Sequence, residues 1–134
     1  MDNNVKQSFQ SSSGRTFKAT HSFEKRKEEA RRLRQKYPDR VPVICEPEGF
    51  VVRGETRAAL RLDKKKFLVP GDLNGAQFMY VIRKRCNLKP DEAIFIFIQN
   101  KLLPGHLMMS QVYDKYKDDD GMLYCYVSKE STFG

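Results

Sequence analysis

The chain has 134 residues, of which 40% are hydrophobic and 31% charged, so it fits one globular domain that buries about 65–70% of its unfolded surface. Lys and Arg outnumber Asp and Glu by 25 to 17, and the net charge of +8 favours acidic partners without selecting among membranes, nucleic acids and peptides. The sequence contains no apolar run of the roughly 18 residues that span a bilayer, no hydrophobic N-terminal signal and no C-x-x-C pair. These features are typical of a protein of a reducing compartment that uses cysteine as a small buried residue.

The first part of the chain is polar, and one clear helix follows it. Residues 1–14 have low complexity, which predicts a disordered tail, and residues 15–20 leave room for one helical turn. A helix is predicted from Phe23 to Lys36, with Ser22 as its N-cap. Basic side chains fill most of its surface. They predict a solvated face, with docking on an anionic surface or an enzyme as the alternative.

This helix carries one narrow apolar stripe, which we expect to be buried. Its members are Phe23, Ala30, Leu33 and Tyr37. Burial of the stripe would leave no exposed aromatic side chain among the basic residues. Nucleic-acid binding needs that combination, so no nucleic-acid partner is expected.

Two strands and a long connection come next. Residues 41–46 are predicted to form a strand that is apolar on both faces, and residues 47–60 a polar connection without regular structure. A second strand is predicted from Leu60 to Val69, paired with the first as a hairpin.

The end of the second strand has an unusual pattern. Alternation places Lys66 and Leu68 on one face, and Phe67 and Val69 on the other. Pro70 has no N–H and would interrupt a central ladder, so this strand is predicted to lie at a sheet edge. An edge with apolar side chains on both sides is suited to capturing a peptide as an added strand.

The second half of the chain completes a sheet. Asn74 is predicted to cap a helix whose apolar stripe is Phe78, Val81 and Ile82. Residues 93–98, AIFIFI, predict a central strand covered on both faces. A short helix from Met108 to Tyr116 and a last strand from Met122 to Val127 are also predicted. The order favours an α+β fold, a β-grasp domain whose second face is covered by the N-terminal helix.

No set of residues in the sequence suggests catalysis or metal binding. His21 and His106 have no metal-like spacing, and the sequence contains no Ser/His/Asp set and no Gly-rich phosphate loop. We therefore expect neither an enzyme nor a cofactor. The terminal Gly134 ends a polar tail, and a glycine carboxylate can thread a narrow channel, be adenylated and pass as an acyl group through an enzyme thiol to an amine.

Four segments carry a resemblance to a known family: FEKRKEEARRLRQKYPDRVPVICE, DKKKFLVPGDLNGAQFMYVIRKR, AIFIFIQNKLLPG and the ending ESTFG. Together they resemble the autophagy ubiquitin-like modifiers, the lipid-conjugated proteins of the microtubule light-chain and GABA-receptor-associated type. The resemblance implies a ubiquitin-like β-grasp with two additional N-terminal helices over residues 15–128, and a flexible conjugation tail at 129–134.

The resemblance also implies a function and its partners. Gly134 would be conjugated to phosphatidylethanolamine by an activating and a conjugating enzyme, and a cysteine protease would process and delipidate the protein. The modifier would be cytoplasmic, and would lie on the autophagosome membrane when lipidated. Departures from the family pattern are the longer N-terminal tail, an insertion in residues 47–60, Met122 in place of a frequent Phe, and Val127 in place of a common aromatic.

Family members bind receptors through an aromatic-x-x-aliphatic motif that adds a strand beside residues 66–69. By resemblance, the aromatic pocket is lined by Glu29, Leu33, Pro42, Ile44, Lys66, Leu68 and Met122. The aliphatic pocket is lined by Phe67, Val69, Pro70, Leu73, Phe78 and Val81. Arg40 would contact the acidic residues that often flank the motif.

Two other interpretations remain open at this point. One is a ubiquitin-like adaptor that binds peptides but is never conjugated. The other is a small basic RNA-binding domain, whose salt-sensitive binding would depend on Arg31, Arg32 and Arg34.

Overall fold

A computed structural model of the chain describes residues 16–52, 55–58 and 60–129. The predicted tail 1–14, most of the predicted conjugation tail and Gly134 itself lie outside the described residues. The helices are α1 (Phe17–Thr20), α2 (Phe23–Lys36), α3 (Gly75–Arg83) and α4 (Met109–Tyr116). The strands are β1 (Arg40–Pro47), β2 (Gly49–Val52), β3 (Glu55–Ala58), β4 (Lys66–Pro70), β5 (Phe95–Ile98), β6 (Lys101–Leu102) and β7 (Leu123–Ser128).

Five strands form one mixed sheet in the order β4-β1-β7-β5-β6. The first strand pairs antiparallel with β4 and parallel with β7, and β7 pairs antiparallel with β5. Within the described residues, β4 and the two-residue β6 are therefore the edges of this sheet. The predicted α+β β-grasp architecture and the edge position of β4 are both confirmed.

The main core lies between the sheet and the two C-terminal helices. Phe78 and Ile82 on α3 and Val112 on α4 are fully buried against inward-facing strand residues such as Val43 and Leu123. Alternation along each strand sends every second side chain into this core.

A second, smaller core covers the opposite face of the sheet. It consists of Phe17, Ala30, Ile44 and Met122, all at most 2% exposed, with Tyr124 packed against them. The first two of these residues come from α1 and α2. The prediction that the N-terminal helices cover the second face of the sheet is thus confirmed.

The AIFIFI segment has buried side chains on both faces, although Ala93 is exposed and Phe95 half-buried, and it is not the middle strand. Ile96 and Ile98 enter the main core, and Phe97 is buried on the other side. Its strand, β5, lies between β7 and the short β6. The middle position belongs to β7, because β1 and β5 both pair with it.

Local sequence signals set several helix and strand boundaries. The Ser22 hydroxyl accepts from the backbone N–H of Lys25, and Asn74 and Gln77 form the predicted capping box at the start of α3. Gly121 has a φ of +88°, which few residues besides glycine adopt. The predicted caps at Ser22 and Asn74 are both confirmed.

Three expectations about the first half of the chain are wrong. Phe23 is 39% and Tyr37 38% exposed, so the ends of the α2 stripe are not buried. Lys27 lies over the ring of Phe23 and Lys36 over that of Tyr37. Because Phe23 and Tyr37 are exposed beside basic side chains, burial of the aromatic residues does not exclude nucleic-acid binding.

The other two corrections concern strand bounds. The connection 47–60 contains an antiparallel pair, β2 with β3, where no regular structure was expected. The strand expected from Leu60 begins only at Lys66, after an isolated bridge between Leu62 and Cys86. Pairing between strands decides both sets of bounds. A short polar segment gives little local signal for such pairing. In the described part of the chain, no helix has the length and apolarity needed to cross a membrane.

A candidate peptide-binding edge

The free edge of β4 offers backbone groups to another chain. The N–H of Cys45 donates to the carbonyl of Lys65 at 2.8 Å, which fixes the phase of the antiparallel ladder between β1 and β4. Because hydrogen-bonded and non-hydrogen-bonded pairs alternate, Lys66 and Leu68 turn their N–H and C=O groups away from β1. No strand of the described chain lies on that side.

The proline at the end of β4 fits this arrangement. Pro70 pairs with Arg40 at one of the outward-facing positions. Its missing N–H would have pointed to solvent, so no bond to β1 is lost. Pro70 is therefore compatible with the edge position of β4, as its missing N–H predicts.

One face of β4 lies on the side of α2. Pro42 pairs with Leu68 and Ile44 with Lys66, which places these four residues on one face of the sheet. Ile44 and Met122, each 1% exposed, form the floor and belong to the smaller core. The structure thus brings the strand residues of the predicted aromatic pocket together; we call this surface the α2-side groove.

Two residues of α2 complete the α2-side groove. Glu29 accepts from the Nζ of Lys66 at 3.0 Å, and Leu33 is half-buried one turn further along the helix. The Lys66 side chain is 53% exposed, and an ion pair so accessible to water contributes little to stability. It can therefore separate at small cost when a ligand approaches.

The opposite face of β4 lies on the side of α3; we call the surface there the α3-side groove. The ring of Phe67 meets that of Phe78 edge-on, with centroids 6.3 Å apart, and both are buried in the main core with Val69. Leu73 is half-buried beside them. Pro70 is also half-buried.

Val81 differs from the other residues of its predicted stripe. Phe78 and Ile82 are fully buried, whereas Val81 is 39% exposed. Val81 therefore belongs to the apolar stripe without being buried in the core. Val81 lies one turn after Phe78 on α3, and its exposure makes it a contact available to a ligand.

Arg40 lies beside the end of β4, where it pairs with Pro70. Its side chain is exposed, and its Nη1 donates a long hydrogen bond of 3.4 Å to the carbonyl of Leu68. The Nη1 of Arg34 donates to the carbonyl of Arg40 at 2.6 Å and so fixes the backbone there. The guanidinium of Arg40 is thus held next to an outward-facing carbonyl.

One residue that supports the α2-side groove was missed by sequence reasoning. Asp120 belongs to a DDDG run that predicts only a turn, yet its side chain is fully buried. Its carboxylate accepts from Arg26 Nε at 2.9 Å, from the Tyr124 hydroxyl at 2.5 Å and from the N–H of Met122 at 2.7 Å. Burial and the bond to Asp120 raise the pKa of Tyr124. No local pattern distinguishes Asp120 from its two neighbours.

Two of the three thiols are buried, and one of the histidines packs against an aromatic ring. Burial raises the pKa of Cys125 to about 12 and that of Cys45 well above its ordinary value, and a thiol in that state is a poor nucleophile. His21 stacks on Phe17 at 4.3 Å between centroids. Among the described residues, no group of three or more His, Cys, Asp and Glu side chains could hold a metal ion.

Known proteins match this chain over most of its length. Residues 25–134 match the family described as autophagy protein Atg8, ubiquitin-like. The chain is 54% identical to autophagy-related protein 8 of Coccidioides immitis over 118 residues, which are 88% of this chain and 96% of that protein. It is 53% identical to autophagy-related protein 8 of Mycosarcoma maydis, over 88% of this chain and 95% of that one.

Two solved structures have the same fold. A crystal structure of Trypanosoma brucei ATG8 matches with a TM-score of 0.74 and 43% identity, covering 89% of this chain and 97% of that one. Plasmodium falciparum Atg8, solved in complex with a P. falciparum Atg3 peptide, matches with a TM-score of 0.75 and 32% identity. That match covers 88% of this chain and 98% of the other.

Proposed function

Because the chain belongs to the Atg8 family of ubiquitin-like autophagy proteins, we propose that it is a lipid-conjugated modifier that recruits aromatic-x-x-aliphatic peptides at the free edge of β4. The single observation that supports peptide recruitment is that edge itself. Outward-facing backbone groups of Lys66 and Leu68 lie between two apolar grooves on opposite faces of the sheet. An extended peptide alternates its side chains in the same way as the strand it joins.

In this proposal each groove takes one anchor of the peptide. The aromatic side chain enters the α2-side groove above Ile44, and the aliphatic side chain lies in the α3-side groove against Val81. Arg40 pairs with an acidic residue beside the motif. Burying two anchors contributes roughly 3–6 kcal/mol before ordering costs, so dissociation constants on the order of micromolar are expected.

Conjugation is the second half of the proposal, and it rests on family membership. An activating enzyme adenylates the Gly134 carboxylate with ATP and releases pyrophosphate. An enzyme thiol then displaces AMP to form a thioester, and the amine of phosphatidylethanolamine displaces the thiol to form an amide. The product carries two acyl chains, which anchor it to the autophagosome membrane far more firmly than one short chain would. A cysteine protease reverses the linkage.

The partners follow from the same two features. The P. falciparum relative was solved with a peptide of Atg3. We infer that this chain likewise binds its conjugating enzyme, and that cargo receptors with short aromatic-x-x-aliphatic motifs compete for the same edge.

The RNA-binding alternative has weaker support. Of the three arginines it would use, Arg31 forms two hydrogen bonds with Glu28, and Arg34 donates to the carbonyls of Pro38 and Arg40. Two of the three guanidiniums are thus already engaged within the protein, whereas the backbone edge of β4 is open.

A reconstituted reaction tests conjugation directly. The chain is mixed with its activating and conjugating enzymes, ATP and liposomes that contain phosphatidylethanolamine, beside a chain that lacks Gly134. Mass spectrometry is expected to find a lipid adduct on Gly134 and none on the control. If neither a thioester nor an adduct forms, the conjugation proposal fails and a binding-only adaptor remains.

A binding titration tests the edge separately. A Lys66→Ala/Leu68→Ala variant is expected to lose at least tenfold in affinity for an aromatic-x-x-aliphatic peptide, because both residues line the α2-side groove. The matched control is Lys101→Ala/Leu102→Ala, which removes the same two residue types at exposed positions on β6. Equal affinities for the two variants would refute the assignment of the edge.

A further inference from the structure

A small cleft lies between the C-terminal end of α3 and the segment that leads into β4. Its volume is about 330 Å³, and three of the residues that line it are cations: Arg61, Lys84 and Arg85. We call it the basic cleft. It is separate from both grooves of the peptide-binding edge, because none of its lining residues belongs to them.

The backbone around the basic cleft is fixed by cross-links between its two walls. Leu62 forms an isolated bridge with Cys86, and the N–H of Asp63 donates to the carbonyl of Arg85 at 3.3 Å. The N–H of Arg61 donates to the side-chain oxygen of Asn87 at 2.8 Å. The backbone positions that carry the three cations are therefore held close together.

The positive charge of the basic cleft is poorly neutralised. Asp63 is the only carboxylate among its lining residues, and it lies 3.8 Å from Arg85, with both side chains about half exposed. Such a contact contributes little. Arg61 and Lys84 have no carboxylate partner among the described residues, and Lys84 instead lies 4.5 Å from the centre of the Tyr80 ring.

The basic cleft lies at the end of the domain from which the C-terminal tail leaves. Arg83, next to Lys84 on α3, donates to the carbonyls of Lys89 and Pro90. The backbone N–H of Lys89 donates to Glu92, and the same carboxylate holds the Nζ of Lys129 at 3.0 Å. Contacts thus run from α3 to Lys129, the last described residue after β7.

A short tether connects this end to the proposed lipid. Gly134 is five residues beyond Lys129. Since one residue spans at most about 3.6 Å, Lys129 would lie within about 18 Å of the headgroup to which Gly134 is joined. A tether of this length keeps this end of the domain near the bilayer.

We propose that the basic cleft is a membrane-contacting site that binds the headgroups of anionic lipids and orients the conjugated domain. The orientation part rests on the proposed conjugation through Gly134. Exposed cations next to an anionic leaflet gain favourable energy from its surface potential, and a second membrane signal strengthens a single anchor. The net charge of +8 has the sign that this partner requires.

The first test uses the full, unconjugated chain, so that it does not depend on conjugation. Binding is measured by co-sedimentation with phosphatidylcholine vesicles that do or do not contain roughly 30% phosphatidylserine, a composition that carries an anionic surface potential. The Arg61→Gln/Lys84→Gln/Arg85→Gln variant is compared with Lys25→Gln/Lys27→Gln/Arg32→Gln. The second variant removes the same charge from exposed positions on α2.

We expect binding only to the anionic vesicles and a loss on the order of 100-fold for the cleft variant, because each cation near the surface contributes about fivefold. The α2 variant should lose much less. An equal loss in both variants, a loss in the α2 variant alone, or no binding by the parent chain would overturn the proposal. The proposal would also be overturned if the cleft variant lost binding to a short RNA but kept its binding to anionic vesicles.

The second test reads orientation in the conjugated chain. The lysines of the vesicle-bound protein are chemically acetylated, and the extent of acetylation at each lysine is measured by mass spectrometry. Lys84 and Lys89 should react several-fold more slowly than in the free chain, whereas Lys25 and Lys27 should not change. Protection of the α2 lysines instead would refute the orientation. If the chain forms no lipid adduct but still binds vesicles through the cleft, the conjugation proposal fails and the membrane-contact proposal stands.

Discussion

The Nε of Arg26 donates to the buried carboxylate of Asp120 across 94 positions of sequence, at 2.9 Å. This contact ties α2 to the turn before β7, and Asp120 also holds the N–H of Met122. Burial lowers the pKa of the Arg26 guanidinium, but the hydrogen bond to Asp120 and the electrostatic effects of Tyr124, Asp120 and Asp118 together outweigh it, so the pKa is raised overall. One carboxylate thus joins the N-terminal helices to the floor of the α2-side groove.

Replacing Asp120 with alanine should destabilise the protein. The change leaves the largely buried Arg26, the Tyr124 hydroxyl and the Met122 N–H without their acceptor, and breaking such a pair costs about 3 kcal/mol. Urea unfolding followed by circular dichroism measures the effect. The neighbouring Asp119 is exposed, so Asp119→Ala should change the unfolding free energy by less than about 0.5 kcal/mol. Equal effects at the two positions would contradict the role of Asp120.

A charge at Val81 should weaken peptide binding without unfolding the domain. Val81 is exposed in the free protein, but a bound aliphatic side chain would bury the introduced carboxylate without a partner. Val81→Asp is therefore expected to raise the dissociation constant for an aromatic-x-x-aliphatic peptide by roughly tenfold or more, or about 1.4 kcal/mol. Calorimetric titration gives the value.

The matched control for this substitution is on the same helix. Tyr80 is 60% exposed, and at about 100° per residue it lies nearly opposite the buried Phe78 around α3. Tyr80→Asp adds the same charge to the same helix and should bind the peptide almost as the parent does. If both variants bind normally, the α3-side groove does not hold the aliphatic anchor.

Gly121 should not tolerate a side chain. Its φ is +88°, and an added Cβ would lie 3.0 Å from the Cβ of Ala30 on α2. Gly121→Ala is expected to lower the free energy of unfolding by about 1–2 kcal/mol, from backbone strain and crowding of the helix. Gly105→Ala is the control, because its Cβ would meet Ala76 only at an ordinary 3.7 Å. Thermal denaturation of both variants under one condition makes the comparison, and an unchanged midpoint for Gly121→Ala would contradict it.

Acid should weaken the attachment of α1 through Asp118. Burial alone would raise the pKa of this carboxyl, but hydrogen bonds from the Lys18 Nζ and the Asp120 N–H outweigh it, so the pKa lies below its ordinary value. A carboxyl with a lowered folded-state pKa stabilises the protein above its unfolded pKa, and that stability is lost as pH falls through the folded value. The protein therefore loses this stability below about pH 4.

Urea unfolding between pH 6 and pH 2 checks this, and Asp118→Asn should show a shallower decline below about pH 4 because it has no such proton to bind. Asp119→Asn is the control, since Asp119 is exposed and has no hydrogen bond of this kind among the described residues. A parent and Asp118→Asn variant with the same pH dependence would contradict the prediction.

Much of the fold could be predicted because its signals are local. Ser22 and Asn74 cap helices through bonds to residues three positions away, so neighbouring sequence specifies them. The alternation around Phe67 assigned the two faces of β4 before any partner strand was known. Pro70 indicated the edge because a missing N–H is tolerated only there.

Other features depend on residues distant in sequence and could not be predicted. Phe23 and Tyr37 fit an apolar stripe, yet the sheet supports only the middle of α2, so both remain exposed. Asp120 is indistinguishable in sequence from Asp119, and only the approach of Arg26 makes its burial favourable. The basic cleft needs Arg61 and Lys84 on facing walls, which the bridge between Leu62 and Cys86 brings about.

By itself, the sequence determined the family, the α+β class, the two faces of β4 and the residues that flank its edge, because alternation, caps and collinear motifs act between near neighbours. Only the tertiary structure decided which backbone groups of β4 face solvent, which carboxylate is buried under α2, and which cations meet at the end where the tail leaves. Those outcomes depend on strand register and helix packing, which are set by contacts between segments far apart in the chain.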